Sequence, residues 1–153
     1  MIRRCEKLTL LANLHEISNI PLLRTISSFL ASSVGSLISL RNIANYLSSS
    51  IASSSVATVS RYVKALEESY LFYPMHAMNV SGKQLLKNMV KYYIVDPGLR
   101  NYLVPRQNYD LGFLLENIVY LELCRRGYEV YIGKMKDLEV DFIAQKSGVC
   151  KYF

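Results

Sequence analysis

The spacing of apolar residues predicts helices through most of the chain up to residue 70. Residues 1–19 form a mixed basic and apolar segment with a helix predicted around residues 5–17. A second helix begins at Pro21, with apolar positions three and four residues apart. Gly35 ends that helix. A third helix follows Ser39, whose side chain is suited to accept a hydrogen bond from a free backbone amide of the first turn. The chain is therefore predicted to begin with a helical lead-in.

A fourth helix is predicted to follow the serine-rich residues 48–55, with Ser54 or Ser55 as its N-cap. The residues expected to be buried along its apolar stripe are Val56, Val59, Val63, Leu66 and Tyr70. Its outward positions are Thr58, Ser60, Arg61 and Lys64. Two short helices with a tight connection, the second presenting hydroxyls and cations, are typical of a helix-turn-helix.

A β-hairpin is predicted next. Leu71–Met78 alternates loosely between apolar and polar residues, Ser81-Gly82 supplies a turn, and Met89–Val95 supplies the returning strand. A helix-turn-helix followed by a hairpin predicts a winged helix. Asp96-Pro97-Gly98 then marks a boundary, because proline and glycine interrupt regular structure.

The remaining residues predict a helix followed by strands. The helix runs from residue 111 or 112 to residue 126 and ends at Gly127, a residue that readily adopts the conformation of a helix C-cap. Alternating apolar positions predict strands at Tyr128–Ile132 and Leu138–Ala144. Val149–Phe153 predicts the beginning of a third strand.

Together these elements predict an α+β fold in three parts. The parts are a helical lead-in over residues 1–35, a winged helix over residues 36–96, and an α/β half over residues 97–153. Because the third strand has barely begun, we expect an exposed sheet edge at Leu138–Ala144. Exposed edges favour pairing between copies of a chain, so a homo-oligomer is one expected assembly.

The charge distribution suggests a polyanion as partner. The formal net charge is +6, and residues 32–91 carry six basic and two acidic side chains. The outward hydroxyls and cations of the fourth helix fit base edges and phosphates of double-stranded DNA, and Lys83 and Lys87 would place the wing on the backbone. We expect Tyr92 and Tyr93 to pack on the wing, with base stacking as the alternative. A winged helix that docks protein rather than DNA remains the second interpretation.

Two acids lie in apolar surroundings. Glu116 falls on the apolar side of its predicted helix, and Asp141 lies inside an otherwise apolar strand, so the pair could begin a metal site for phosphodiester cleavage. We expect Glu139 to point away from that site. The alternative is structural: Glu116 would bind backbone at the sheet edge, and Asp141 would cap a bend or pair with an arginine. We favour the structural role, and name no catalytic or metal-binding residue beyond these two candidates.

Several classes of protein are disfavoured by the composition. Cys5, Cys124 and Cys150 are too far apart for a zinc site or a disulfide framework, which fits a reducing, cytoplasmic location. His15 and His76 are isolated. The sequence contains no phosphate-binding P-loop and no stretch typical of a membrane span, so we expect neither ATP binding nor a membrane partner for this chain.

Three blocks of sequence also carry a family resemblance. They read SLRNIANYLSSSIASSSVATVSRYVKALEESYLFY, KYYIVDPGLRNYL, and GFLLENIVYLELCRRGYEVYIGK followed by LEVDFIAQ. Together they resemble the C-terminal region, domain of unknown function DUF4143, of a large family of prokaryotic AAA-type P-loop ATPases. The resemblance covers residues 20–153 and implies a winged helix followed by an incomplete PD-(D/E)XK, restriction-endonuclease-like α/β unit.

The resemblance implies a role as well as a fold. Glu116 and Asp141 would match the first two acids of the endonuclease-like pattern, but residues 149–153 offer no acid at the position of the third, which counts against nuclease activity. The expected function is a non-catalytic DNA-binding or substrate-docking region. The missing N-terminal ATPase domain would be a partner and would alone use ATP and magnesium. The alternatives are a metal-dependent nuclease and a protein interaction module.

Overall fold

The computed structural model describes residues 4–50, 54–80, 84–104, 111–135 and 138–153. In this part of the chain the helices are α1 (Arg4–Leu14), α2 (Ile20–Ser32), α3 (Leu40–Ser50), α4 (Val56–Glu68), α5 (Pro97–Leu103) and α6 (Leu111–Arg125). The strands are β1 (Leu37–Ile38), β2 (Phe72–Asn79), β3 (Gln84–Ile94), β4 (Glu129–Met135), β5 (Leu138–Lys146) and β6 (Val149–Tyr152). The fold is mixed α+β, as predicted.

Polar side chains cap three helices of the first half, α2, α3 and α4. Ser39 and Ser55 each accept a hydrogen bond from the backbone N–H three residues later, at 3.2 and 3.1 Å, which confirms them as N-caps. Asn19 does the same for α2 at 3.0 Å. The helix α5, which we did not predict, begins in the same way: Asp96 accepts a hydrogen bond of 2.7 Å from the N–H of Gly98.

One mixed sheet joins the two halves of the chain. Its strand order is β1-β3-β2-β4-β5-β6, in which β2 and β4 are parallel and every other neighbouring pair is antiparallel. The parallel pair aligns Ala77 with Ile132, so the sheet continues across the boundary predicted at residue 96. A single hydrophobic cluster extends from α1 and α2 to β5, and α6 packs on β3 and β4.

Two packing expectations were wrong. Val56 and Tyr70 were expected in the core, but their side chains are 43% and 70% exposed. Val56 is the first residue of α4, and Tyr70 follows the helix with a φ of +56°, so neither lies on the stripe that faces the sheet. The central members of the stripe, Val59, Val63 and Leu66, are buried as predicted.

A further strand covers only the second half of the sheet edge predicted at Leu138–Ala144. Residues 143–146 of β5 pair with β6, and Phe142 and Phe153 exchange two backbone hydrogen bonds of 3.1 and 2.9 Å. The edge strand is therefore β6, whose four residues are all exposed. Within the described residues, no helix is both long enough and apolar enough to cross a membrane.

Candidate nucleic-acid interface and buried charge network

The outer face of α4 presents most of the residues predicted to bind DNA. Ser60, Arg61 and Lys64 are exposed, whereas Thr58 is half-buried. The Thr58 hydroxyl lies 2.9 Å from the hydroxyl of Ser55, so it helps to close the first turn of the helix. The surface that α4 offers to a ligand is consequently one hydroxyl and two cations, with Thr58 in a supporting position.

The two cations of α4 are held only lightly by their neighbours. The Lys64 ammonium lies 3.5 Å from the Glu68 carboxylate one turn later, with 72% of the lysine side chain exposed. The Arg61 guanidinium lies 5.5 Å from the ring centroid of Tyr62. Exposed pairs of this kind contribute little to stability, so both side chains can turn toward a phosphate at small cost.

A groove of about 710 Å³ runs beside α4, and its lining includes polar residues that we did not predict. Arg41, from the first turn of α3, and His76, from β2, line it together with Ser60 and Lys64. Its floor is mainly apolar. The sequence contains little indication that Arg41 belongs to this surface, because it appears there only as a cation shortly after an N-cap. Its position beside α4 depends on the packing of α3 against α4, which is a tertiary feature.

For the two lysines predicted to contact DNA from the wing, the structure describes no side chain. Lys83 lies outside the described residues, and the side chain of Lys87 on β3 is likewise not described. Tyr92 and Tyr93 are 5% and 0% exposed, so base stacking by these rings is excluded in this conformation. The Tyr92 hydroxyl instead donates to Glu67 at 2.9 Å, and burial together with this carboxylate raises the pKa of Tyr92.

The predicted acid Glu116 belongs to a network of ion pairs centred on Lys91. The buried Lys91 ammonium lies 3.1 Å from Glu116 and 2.9 Å from Glu139, and Glu139 also pairs with Lys134 at 2.6 Å. The Tyr93 hydroxyl donates to the same Glu116 oxygen at 2.5 Å. Helix α6 and strands β3, β4 and β5 are thus joined through charged side chains.

The charges of this network determine how its members ionise. Burial alone would lower the pKa of the Lys91 ammonium, but Glu139 and Glu116 together raise that pKa above its usual value. Burial likewise opposes ionisation of Glu139, yet Lys134 and Lys91 hold the pKa of Glu139 below its usual value. Burial and the Glu116 carboxylate raise the pKa of Tyr93, which keeps its hydroxyl a donor.

Asp141 lies close enough to this network that its carboxylate adds to burial and to Glu116 in raising the pKa of Tyr93. Its side chain is exposed, whereas Glu139 supplies the second carboxylate to Lys91. The expectation that Glu139 points away was wrong, because Glu139 reaches the Lys91 ammonium that Glu116 also binds. Among the described residues, no group of three or more His, Cys, Asp or Glu side chains is placed to hold a metal ion. The catalytic roles considered for Glu116 and Asp141 stay a prediction.

Asn117 is a structural residue whose place on the apolar side of the helix was visible in the sequence, but to which sequence reasoning assigned no role. Its side chain is buried, accepts a hydrogen bond of 2.8 Å from the N–H of Ile94, and donates one of 2.9 Å to the carbonyl of Ile94. This amide therefore meets both backbone groups of Ile94 as a neighbouring strand would. An asparagine on the apolar side of a helix was the available signal, since a buried amide requires partners.

Gly35 gives Glu116 room to approach β3. Its φ is +75°, and a Cβ built on it would lie 3.0 Å from the Phe113 ring and 3.3 Å from a Glu116 oxygen. We expect Gly35→Ala to lower the free energy of unfolding by about 1–2 kcal/mol, from left-handed backbone strain and crowding combined. Urea unfolding measures this change. Gly148→Ala provides a comparison with the same strain but no neighbours, because φ is +79° there and no atom lies within 4 Å of the added Cβ.

Comparisons with known proteins identify relatives. The family model of a domain of unknown function, DUF8612, matches residues 11–110. An uncharacterized protein of Haemophilus influenzae is 40% identical over 131 residues, covering 86% of this chain and 33% of that protein. An uncharacterized protein of Methanocaldococcus jannaschii is 30% identical over 133 residues, covering 84% of this chain and 29% of that protein. No solved structure matches significantly.

These findings correct the family resemblance. The matching model is DUF8612 rather than DUF4143, and neither relative is described as an ATPase. Assignment of the chain to the C-terminal region of an AAA-type ATPase was therefore wrong. The ATPase domain expected as its partner loses the support of that resemblance. The chain spans about a third of the length of the curated relatives it matches.

Proposed function

This chain belongs to the DUF8612 family, and we propose that it binds double-stranded DNA through a winged helix in which α4 enters the major groove. The observation that carries the proposal is the outer face of α4, where Ser60, Arg61 and Lys64 are exposed beside a groove that also presents Arg41. Hydroxyls and guanidinium groups read base edges and phosphates, and lysines bind phosphates.

The order of elements supports the winged-helix part of the proposal. Helix α2 is followed by β1, α3, α4, β2 and β3, and the three strands pair antiparallel in the order β1-β3-β2. In this arrangement α4 is the second helix of a helix-turn-helix and the β2–β3 hairpin is the wing. The turn of that hairpin lies outside the described residues, so the proposal for DNA contact depends on α4.

A non-catalytic role agrees better with the charge network than a nuclease does. A metal-dependent nuclease needs carboxylates that are free to hold a cation, whereas Glu116 and Glu139 are both bound to Lys91. The α6–β4–β5 unit in the proposal therefore serves as scaffold for the DNA-binding half. The endonuclease-like arrangement of this unit stays part of the proposal, supported by the packing of α6 on β4 and by the pairing of β4 with β5.

Salt dependence of DNA binding tests the proposal. We expect labelled duplex DNA to bind with modest affinity that weakens linearly with the logarithm of salt concentration, because each neutralised phosphate releases counterions. Replacing Arg61 and Lys64 together by alanine should weaken binding by about tenfold or more and make the slope shallower by about 2, since roughly 0.9 is lost per phosphate contact. Fluorescence anisotropy across a salt series measures both quantities.

A matched variant distinguishes DNA binding by the α4 surface from binding through the overall positive charge of the chain. Lys146→Ala/Lys151→Ala removes two exposed cations from β5 and β6, at the far end of the sheet from α4. The affinity and salt slope of this control should stay close to wild type. Absence of binding at low salt, or equal weakening in the two double variants, would exclude α4 as the DNA-binding surface.

A further inference from the structure

Helix α6 is apolar on the side that faces away from the sheet. Leu111, Leu115 and Ile118 lie four and three residues apart and are 67%, 61% and 49% exposed, with Val119 beside them at 42%. The opposite face buries Asn117, Tyr120 and Leu123. A helix that is apolar all round is normally buried on all sides, so this outward stripe is suited to pack against further polypeptide.

The apolar stripe continues into a groove of about 400 Å³ between α6 and β6. Ile118 and Val119 line one wall, and Phe153 and Tyr128 line the other. Phe153 is 58% exposed, and all of β6 is exposed. The buried residues 142–144 close the middle of β5, so the open part of the sheet beside the groove is β6.

The rim of this groove is basic. Arg126 and Lys151 line it, and Arg125 lies one residue away with its side chain 72% exposed. The carboxylate in the groove, Glu122, is already bound by Arg125 at 2.6 Å and by Arg126 at 2.7 Å, which holds its pKa down at about 2. The charge left for a partner is therefore positive.

We propose that the outward face of α6 and the groove beside it bind an amphipathic helix with an acidic flank, supplied by polypeptide other than these 153 residues. The apolar stripe of that helix would cover Leu115, Ile118 and Val119, and its acidic flank would face Arg126 and Lys151. A second copy of this chain does not fit equally well, because the carboxylate of its own stripe is Glu122, which its own arginines already bind. Relatives about three times as long contain additional polypeptide that can supply such a helix.

A synthetic peptide tests this interface. The probe is a labelled helix of about 18 residues with leucines three and four positions apart and glutamates along one flank. We expect saturable binding by anisotropy that Leu115→Glu or Ile118→Glu weakens at least about tenfold, since a buried charge at the centre of an interface is costly. Leu14→Glu on α1, which changes a residue that is 77% exposed, should leave peptide binding unchanged.

Two further peptides and a sedimentation measurement decide the outcome. A scrambled peptide without the leucine stripe and a peptide with lysines in place of glutamates should both bind at least about tenfold more weakly. Binding of all three peptides alike, or of none, would overturn the proposal. A dimer of the chain alone that Leu115→Glu dissociates would overturn it too, by assigning the face to a second copy. Leu115→Glu should leave DNA binding unchanged. The proposal for the α6 interface and the proposal for DNA binding by α4 are therefore tested independently.

Discussion

Asn117→Leu is expected to lower the free energy of unfolding by about 3 kcal/mol, because it leaves two buried backbone groups without partners. The N–H and the carbonyl of Ile94 both bind the Asn117 amide, at 2.8 and 2.9 Å. Leucine has a similar volume and fills the space, so packing is largely kept. An unsatisfied buried donor or acceptor costs about 1–3 kcal/mol, and here one of each is created.

Urea unfolding measures this loss, and hydrogen exchange locates it. In the wild type the Ile94 amide should be strongly protected, whereas in Asn117→Leu it should exchange markedly faster than its neighbours on β3. Asn45→Leu on the exposed side of α3 makes the same chemical change and should stay within about 0.5 kcal/mol of wild type. A loss below about 1 kcal/mol for Asn117→Leu would show that α6 is not fixed to β3 through this amide.

The elements predictable from sequence are those with local causes. Ser39 and Ser55 begin α3 and α4 because their hydroxyls bind backbone amides only three residues away, and such signals are legible in a short window. Gly127 follows the end of α6 with a φ of +77°, as a C-cap glycine does. The alternation of apolar and polar residues in Leu138–Ala144 identified β5, because this pattern too is visible in a short window. These features required no knowledge of the rest of the chain.

The elements that sequence missed depend on distant partners. The two residues of β1 form a strand only because Leu37 and Ile38 pair with β3, more than fifty positions later. The parallel pairing of β2 with β4 joins segments separated by two helices and a strand, and no local pattern specifies it. The Pro-Gly sequence near residue 96 led to the prediction of a boundary between two parts of the chain. The sheet that continues across this boundary depends on pairing between distant segments, so local sequence does not reveal it.

The candidate site was predictable in part for a similar reason. Exposed cations on α4 follow from helical periodicity, so Arg61 and Lys64 were identifiable. Glu116 was marked by its position on an apolar face, but its partner Lys91 lies on another element twenty-five positions away. A lysine within an apolar strand and a glutamate on an apolar helix face were each visible alone. Only the packing of α6 on β3 brings them together.

Lys91→Met is expected to destabilise the fold by about 2–4 kcal/mol. The Lys91 side chain is 6% exposed, and its ammonium binds both Glu116 and Glu139, whose side chains are 18% and 31% exposed. Removing one partner of a buried ion pair leaves an uncompensated charge and typically costs about 3–5 kcal/mol. The loss of stability expected for Lys91→Met is smaller than this, because Tyr93 still donates to Glu116 and Lys134 still binds Glu139. Lys64→Met, at an exposed pair on α4, should cost no more than about 0.5 kcal/mol.

The stability difference between wild type and Lys91→Met should depend on pH if it arises from lost charge pairing. The pKa of Glu139 is lowered, so its contribution is present above its unfolded value of 4.5 and is lost as pH falls below it. The pKa of Lys91 is raised, so its contribution is present below 10.5 and is lost as pH rises above it. The stability gap between wild type and Lys91→Met should therefore be widest between these limits and narrow on both sides. Urea unfolding of both proteins across pH tests this expectation, and a stability gap that is independent of pH would contradict the role of charge pairing at Lys91.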